Sequence, residues 1–418
     1  MQRSSSDVFE IIEKSAKNYI QNPEVFSEEY VPENLPGRKK QIEEVTLGLK
    51  YAVFGKPAPH MGIYGPTGSG KTAVLKYVLK EMDRYMQEKK DESLRYIFVP
   101  CKKTVTEART LDFILHSLGV QKSFINQGVG ACYLKVKEII EQLGSTVIVV
   151  LDEVDKLRDP NSLLYNLSRP DLKSGYITVV YISNSLQFGE KLEASVASSL
   201  NPRMMYFPAY NAEQLQEILL ERIKEAGITV PVEEGVVELC SALAAAQDGN
   251  ARIAINLLRK TIDIAERCGA ESVKIAYVWA AEEETDKDLI QESINGMAFH
   301  EKLAFLAAAL CTEAAMRRGE RHVNVGMVYD AYLLLCRSTG FSSLSQRRFR
   351  DIINKLESLD LVGTRVEYRG RYGKVRCISL GVKPELVIEL VTKDPVFQDL
   401  NLEGVRSTVR ENVGAPEK

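Results

Sequence analysis

The sequence predicts an α/β core, a parallel sheet flanked by helices, followed by an all-α unit and a C-terminal winged helix. Three observations predict it. The stretch GPTGSGKT, Gly65 to Thr72, follows the apolar run from His60 to Tyr64 and has the spacing G-x-x-x-x-G-K-[ST]. The stretch VIVVLDEVDKL, Val147 to Leu157, opens on consecutive apolar residues and runs into two acids, Asp152 and Glu153. The last third of the chain reads helix, helix, helix, hairpin, with positive charge gathered on its final helix and hairpin.

Composition sets the bounds. A chain of 418 residues exceeds one ordinary domain and suggests about three. Apolar residues make up 45% and charged residues 27%, enough to bury sizeable cores. The formal net charge of −3 rules out a polycation, so any nucleic-acid role has to come from a local patch. Seven cysteines lie far apart with no C-x-x-C pair, which argues against zinc and against a disulfide framework and fits buried thiols in a reducing cytoplasm. The N-terminus has no signal-peptide core, and no apolar run approaches the ~18 residues of a membrane span. The expectation is a soluble, intracellular protein.

Residues 1 to about 30 read as a polar lead-in with one short amphipathic helix, Val8, Ile11, Ile12 and Tyr19 sharing a side. Pro32 and Pro36 force an extended path, and Gly37 precedes a helix from Arg38 to about Phe54. The strand His60–Tyr64 then leads into the glycine-rich loop of Gly65, Pro66, Thr67, Gly68, Ser69, Gly70, Lys71 and Thr72. Its glycines let the backbone curl so that N–H groups face phosphate oxygens at the start of a helix, Ala73 to Met86. Lys71 is suited to reach the β- and γ-phosphates, and Thr72 to place its hydroxyl on Mg²⁺.

Tyr96 to Pro100 reads as a second strand, and residues 104–143 are helical in period with a break near Asn126 to Gly130. The β-branched run Val147–Leu151 indicates a strand buried on both faces. It delivers Asp152 and Glu153 to the carboxyl end of the sheet, where open α/β sheets bind ligands. Asp152 is the candidate Mg²⁺ holder, and Glu153 the residue that orients or deprotonates water. Ile177 to Ile182 forms a further strand ending at Asn184, placed to position that water. Pro202 and Pro208 bracket a short strand, Met204 to Phe207, and Asn211 caps a helix through about Ala226. Helical period continues to about Glu284, and the polar stretch Glu282 to Ser293 is a domain boundary.

In the third unit, about 294 to 400, Ser345 is read as the cap of a helix reaching Leu359, with Phe349, Ile352, Ile353, Leu356 and Leu359 on its apolar face. The strands TRVEYR and KVRCISL follow, joined by GRYG. Between Phe341 and Arg376 there are nine Lys/Arg against four Asp/Glu, a local net charge of +5 (9 − 4). Arg347, Arg348, Arg350, Arg369, Arg371 and Lys374 are the candidate DNA contacts. The turn Arg369–Lys374 adds glycines and Tyr372, suited to tracking phosphates or entering a minor groove.

Taken together, GPTGSGKT, VVLDEVDKL, YISNS, FPAYNAEQL, DGNARIAINLLR and LSQRRFRDIINKLESLDLVG…RGRYGK resemble the archaeal initiator family related to the origin recognition complex and the cell-division-cycle-six protein. These are AAA+ ATPases with a C-terminal winged helix, and the resemblance runs from about EYVPENLPGR to Pro395. It implies that VPENLPGR, with Val31 and Pro32, helps form the adenine pocket, and that Asn184 is the first sensor. It implies that Arg252 is the second sensor, on the lid, and that Tyr210 and Arg222 contact nucleotide. It also implies ATP/ADP and Mg²⁺ as cofactors and double-stranded origin DNA as the ligand. Paralogous initiator subunits and the replicative helicase are the implied partners, at the nucleoid in the cytoplasm and without a membrane. An initiator-specific DNA-contacting insertion is expected within about 102 to 130. The implied domains are 31–208 (nucleotide-binding), 209–285 (lid) and 294–400 (winged helix), followed by a polar tail, 401–418.

One departure stands out. The family usually reads P-R-V-K-S-S-L before its FPPY-like segment, the Arg acting as a finger on a neighbouring subunit's nucleotide. Here Ser195 takes the Arg position and Ala197 the Lys position. Fingers contribute orders of magnitude in rate, so slow, switch-like hydrolysis in cis is expected. Two other classes fit parts of the pattern: a regulatory or signalling P-loop ATPase whose winged helix is a protein-interaction module, and a clamp-loader-like ATPase. The basic RGRYGK turn favours the DNA-binding reading over both.

Overall fold

The computed structural model describes residues 18–90, 94–320, 322–368, 374–398 and 400–414. Val8, Ile11 and Ile12 of the expected N-terminal helix lie outside these, as do Arg369, Arg371 and the hairpin turn between them. The chain divides into two compact units between Ala281 and Glu282.

The first unit is built on five parallel strands: β1 (Met61–Tyr64), β2 (Leu94–Pro100), β3 (Thr146–Asp152), β4 (Tyr176–Ser183) and β5 (Arg203–Tyr206). Their order is β2-β3-β4-β1-β5, every pairing parallel. Strand β3 is buried on both faces, as its run of Val and Ile demands. Alternation along it sends Ile148 and Val150 to one core, with Val74, Leu75 and Val78 of helix α2 (Lys71–Lys89). Val147, Val149 and Leu151 face the other core, with Leu111, Ile114, Val136 and Ile140. This second core is covered by α4 (Glu107–Ser117) and α5 (Val129–Leu143). The expected helix from Arg38 is shorter than read: α1 spans Lys39–Leu49, and a separate 3-10 turn covers Ala52–Phe54. Region 104–143 is also broken earlier than expected, between Ser117 and Val129, with a 3-10 turn at Ile125–Gln127; α3 (Cys101–Thr104) precedes it. Helices α6 (Pro160–Ser168) and α7 (Ala194–Leu200) complete the layer. Six cysteines are buried, whereas Cys268 is exposed, against the reading of buried thiols throughout.

His60, just before β1, accepts a hydrogen bond on Nδ1 from the Val179 N–H at 2.9 Å. Burial pushes its pKa below the ordinary 6.5. Above pH 6.5 the ring is neutral in both folded and unfolded chains and the stabilisation is complete. As pH falls below 6.5 the unfolded chain takes up the proton first, so folding stability should drop. Thermal melts between pH 7 and 5.5 test this. His60→Leu should lower the melting temperature at pH 7, because an orphaned buried N–H costs about 1–3 kcal/mol. It should also flatten the acid dependence; an unchanged slope counts against the assignment.

The lid comprises α8 (Ala212–Ala226), α9 (Val236–Ala246) and α10 (Ala251–Arg267). Asn211 caps α8 reciprocally with Gln214, a capping box that fixes where the helix starts. The lead-in differs from its reading as a polar segment. Tyr19, Val25 and Phe26 are buried in the lid core beside Leu215, Leu219, Leu258 and Ile262. Backbone N–H groups of Gln21 and Asn22 donate to Ala226 O, and Ile20 bridges Ile228. The lid is therefore assembled from both ends of this unit. The boundary between the units falls inside helix α11 (Ile275–Asn295).

In the second unit every residue from Leu303 to Ala315 of α12 (Phe299–Met316) is buried, the pattern of a helix enclosed on all sides. Around it pack α13 (Val325–Thr339), α14 (Gln346–Ser358), α15 (Pro384–Thr392) and α16 (Leu402–Gly414). Strands β6 (Val323–Asn324), β7 (Val362–Tyr368) and β8 (Lys374–Leu380) form an antiparallel sheet ordered β6-β8-β7. Phe349, Ile352, Ile353 and Leu356 bury the inner face of α14, each contributing about 1.5–3 kcal/mol. Leu359, read as part of that face, is 47% exposed because the helix ends at Ser358. Ser345 occupies the N-cap position but makes no side-chain capping bond. The expected polar tail is instead a docked helix: α16 buries Val405 and Val409 against this core.

Candidate functional site

The parallel order carries three chain segments to one edge of the sheet. The glycine loop leaves β1, Asp152 ends β3 and Asn184 follows β4, and these strands are neighbours. A cavity of about 370 Å³ opens there, lined by Thr67, Gly68, Gly70, Lys71, Thr72, Asp152, Glu153 and Asn184. Its far side is made by Val31, Pro32, Tyr210, Arg222 and the lid's Arg252. The volume is that of a small-molecule ligand site.

The loop is held in its curl by named contacts. Lys71 is buried at the start of α2, and its Nζ donates to Gly65 O and Pro66 O, each at 2.8 Å. Burial lowers its pKa to about 8, while the Asp152 charge holds it up. Thr72 Oγ1 donates to the Asp152 carboxylate at 3.2 Å, so the two residues assigned to Mg²⁺ already touch. Burial raises the Asp152 pKa, opposed by that hydroxyl. One carboxylate, one hydroxyl and space for water fit a cation that keeps most of its water ligands. Glu153 adopts a left-handed backbone, φ 55°, uncommon for a residue with a side chain and of the kind that clusters at functional sites.

Two glycines are required by contact as well as by conformation. At Gly68, φ 74°, a Cβ would overlap the Asn250 side chain. At Gly70, φ 82°, a Cβ would lie 2.5 Å from the Tyr210 hydroxyl. Ser69 is buried, and its hydroxyl is unpartnered among the described residues.

At the wall of the cavity formed with the lid, Arg222 donates to Val25 O at 3.0 Å and stands over the Tyr30 ring, 4.8 Å from its centroid. Residues missed from the sequence also line the cavity: Tyr30, Lys76, Lys102 and Ile218, while Leu35 belongs to the VPENLPGR stretch already read as part of it. Asp155 was missed as well; its carboxylate accepts from Ser183 Oγ at 3.0 Å and from the Asn184 N–H at 3.3 Å, fixing the loop that carries Asn184. Its only signal was its place in DEVD. Ser195 is exposed on α7, and Arg203 is exposed on the edge strand β5.

On the second unit, Arg347, Arg348 and Arg350 are exposed on the first turns of α14, and Lys374 is exposed at the start of β8. None of these four has a partner among the described residues. The other described cations of the stretch are engaged. Lys355 pairs with Glu301 at 2.7 Å, Arg376 with Glu357 at 2.8 Å, and Arg365 with Glu367. The local net charge therefore overstated the free positive charge; among the described residues, what is left unpaired is concentrated on the first turns of α14 and the start of β8.

The sheet, the loop and the helical lid are those of an AAA+ nucleotide-binding core, and the second unit is a winged helix. Three family descriptions match the chain: AAA domain over residues 56–184, Cdc6 AAA+ ATPase-type lid domain over 216–283, and CDC6 C-terminal winged helix domain over 292–390. The ORC1-type DNA replication protein of Thermococcus kodakarensis is 36% identical over 393 residues, 92% of this chain and 94% of that one. ORC1-type DNA replication protein 1 of Sulfurisphaera tokodaii is 35% identical over 394 residues, 93% and 97% of the two chains. Among solved structures, the Aeropyrum pernix ORC1 protein in complex with DNA is 33% identical with a TM-score of 0.72, covering 91% of this chain and 99% of that one. The chain belongs to the family of ORC1-type DNA replication proteins.

Proposed function

We propose that this protein is a replication initiator that binds ATP with Mg²⁺, hydrolyses it slowly as a switch, and grips double-stranded origin DNA through its winged helix. In doing so it regulates initiation and loading of the replicative helicase, with paralogous subunits as further partners. The observation that carries the reading is the near full-length likeness to an ORC1 protein solved in complex with DNA. The proposed working parts are a nucleotide-binding domain at 31–208, a lid at 209–285 and a DNA-binding domain at 294–400.

Within the site, Lys71 neutralises phosphate charge, and Gly65 to Gly70 supply backbone donors around it. Thr72 and Asp152 would hold Mg²⁺, which would supply charge stabilisation for transferring phosphoryl oxygens. Glu153 orients or deprotonates water, and Asn184, fixed by Asp155, positions it. Arg252 reaches the γ-phosphate from the lid, while Val31, Pro32, Tyr210 and Arg222 enclose the base and sugar. With Ser195 at the finger position the chain has no cation to lend a neighbour from that place, so hydrolysis stays slow.

Arg347, Arg348, Arg350, Arg369, Arg371 and Lys374 are proposed to contact DNA phosphates. Fluorescence anisotropy of duplex binding across a salt series, with ADP and with a non-hydrolysable ATP analogue, tests this. Affinity should fall steeply with salt, and Arg347→Ala/Arg348→Ala should reduce the log–log slope by about 2, near 0.9 for each lost phosphate contact. No duplex binding, or binding indifferent to these arginines, would shift the winged helix to a protein-contact role.

A further inference from the structure

Beneath the glycine loop sits a guanidinium that no carboxylate neutralises among the described residues. Arg38, at the N-cap of α1, is 1% exposed. It spends its nitrogens on backbone carbonyls: Nε on Ser69 O at 2.9 Å, Nη2 on Pro208 O at 2.6 Å and Nη1 on Gly37 O at 3.2 Å. Its plane lies over the Tyr210 ring, 3.7 Å from the centroid. Buried cations are seldom kept without a counter-charge, so the fold bears a desolvation cost to place one here.

The contacts close a ring. Ser69 belongs to the glycine loop, and Pro208 and Tyr210 belong to the connector from β5 to the lid. The Tyr210 N–H donates to Gly249 O at 3.1 Å, in the turn that opens α10. The Ala251 N–H, the first of α10, returns to the glycine loop by donating to Gly68 O at 3.2 Å. Within a planar trans peptide the carbonyl and the next N–H point opposite ways. Pinning Ser69 O to Arg38 therefore turns the Gly70 N–H away from Arg38, and Gly70 lines the cavity.

We propose that Arg38 is a positioning residue that couples occupancy of the glycine loop to the placement of the lid. A ligand drawing loop N–H groups inward shifts the Ser69 peptide, and Arg38 passes that shift to Pro208 and Tyr210, which carry the lid turn. The inference rests on the nucleotide reading of this cavity.

Hydrogen–deuterium exchange on the full chain, with and without ADP, tests it in wild type, Arg38→Met and Arg38→Lys. In wild type, ADP should slow exchange in both the loop (65–72) and the lid turn (248–256) by at least about tenfold. In Arg38→Met at saturating ADP, loop protection should persist while lid-turn protection falls to about wild-type apo levels. Arg38→Lys keeps the charge but cannot span three carbonyls. It should bind ADP within about tenfold of wild type, a span of one hydrogen bond's worth, and still lose the lid response. Circular dichroism identifies the folded variants, and the lysine variant carries the comparison where the methionine variant does not fold. Full lid protection in either folded variant overturns the coupling, leaving Arg38 a structural plug. A wild-type protein that shows no ADP response anywhere sinks the nucleotide reading itself, and this inference with it.

Discussion

Lys71→Ala should weaken ADP and ATP binding by about 10²- to 10³-fold while leaving the nucleotide-free melting temperature nearly unchanged. The two effects separate because Lys71 does different work in the two states. Without nucleotide it is bonded to Gly65 O and Pro66 O, and what those bonds contribute is offset by the cost of burying the ammonium. Against phosphate oxygens the same ammonium makes charge-assisted bonds, about 1.5–3 kcal/mol each, and two of them account for the expected loss. Isothermal titration and ADP-induced thermal shift measure it, and unchanged binding would remove Lys71 from the site. Its protonation adds a second signature. Burial lowers the free-state pKa to about 8, whereas bound phosphate favours the ammonium form. Binding should therefore take up a proton near pH 8, and affinity should decline as pH rises through about 8. Titrations in two buffers of different ionisation enthalpy detect that proton, and the uptake should vanish in Lys71→Ala.

Glu313→Ala should destabilise the second unit by about 1–3 kcal/mol, the cost of leaving the half-buried Arg406 and Arg410 without their acceptor. Glu313 is 4% exposed on α12. It accepts from Arg406 Nε at 2.8 Å and Nη2 at 2.5 Å, from Arg317 at 3.1 Å and from Arg410 at 3.4 Å. Removing it leaves three cations facing one another and loosens α16, so trypsin should cut at Arg406 and Arg410 in the folded protein. Glu313→Leu/Arg406→Leu should recover much of the loss, because an apolar pair replaces the ionic one. The Arg406 hydrogen bonds hold the Glu313 pKa below its ordinary 4.5. Its contribution is thus complete above pH 4.5 and fades as pH falls through the lower, folded value. A melting curve identical to wild type would refute the clamp.

The parts legible from the sequence are those whose chemistry is local. GPTGSGKT announces its curl through glycine spacing, and Val147–Leu151 announces a doubly covered strand through unbroken β-branched residues. Asn211 and Gln214 declare a helix start within four positions. What escaped depends on partners distant in the chain. Tyr19 sits in a polar stretch, and its burial is decided by packing against the lid core, with its backbone N–H donating to Glu266, 247 residues away. Arg38 reads in the sequence only as the start of a helix and the end of VPENLPGR, because the carbonyls that surround it, Ser69 and Pro208, lie far along the chain. The charge count over 341–376 could not separate Arg347 and Arg348 from Arg376, since only the fold brings Glu357 and Asn354 to the latter. The C-terminal residues read as a tail because the acid that holds them, Glu313, lies on another helix.

Because residues 19–26 are packed into the lid, the polypeptide crosses between lid and sheet core twice, at 31–37 and at 207–211. A body tied at one point can swivel in any direction. A body tied at two is confined to rotation about the line that joins them, like a door on a pair of pins. Pro32, Pro36 and Pro208 stiffen those pins by fixing their own φ angles. Two stiffened connections restrict the orientations open to the lid more than one would, so a change at the glycine loop that reaches it has fewer motions to spread into.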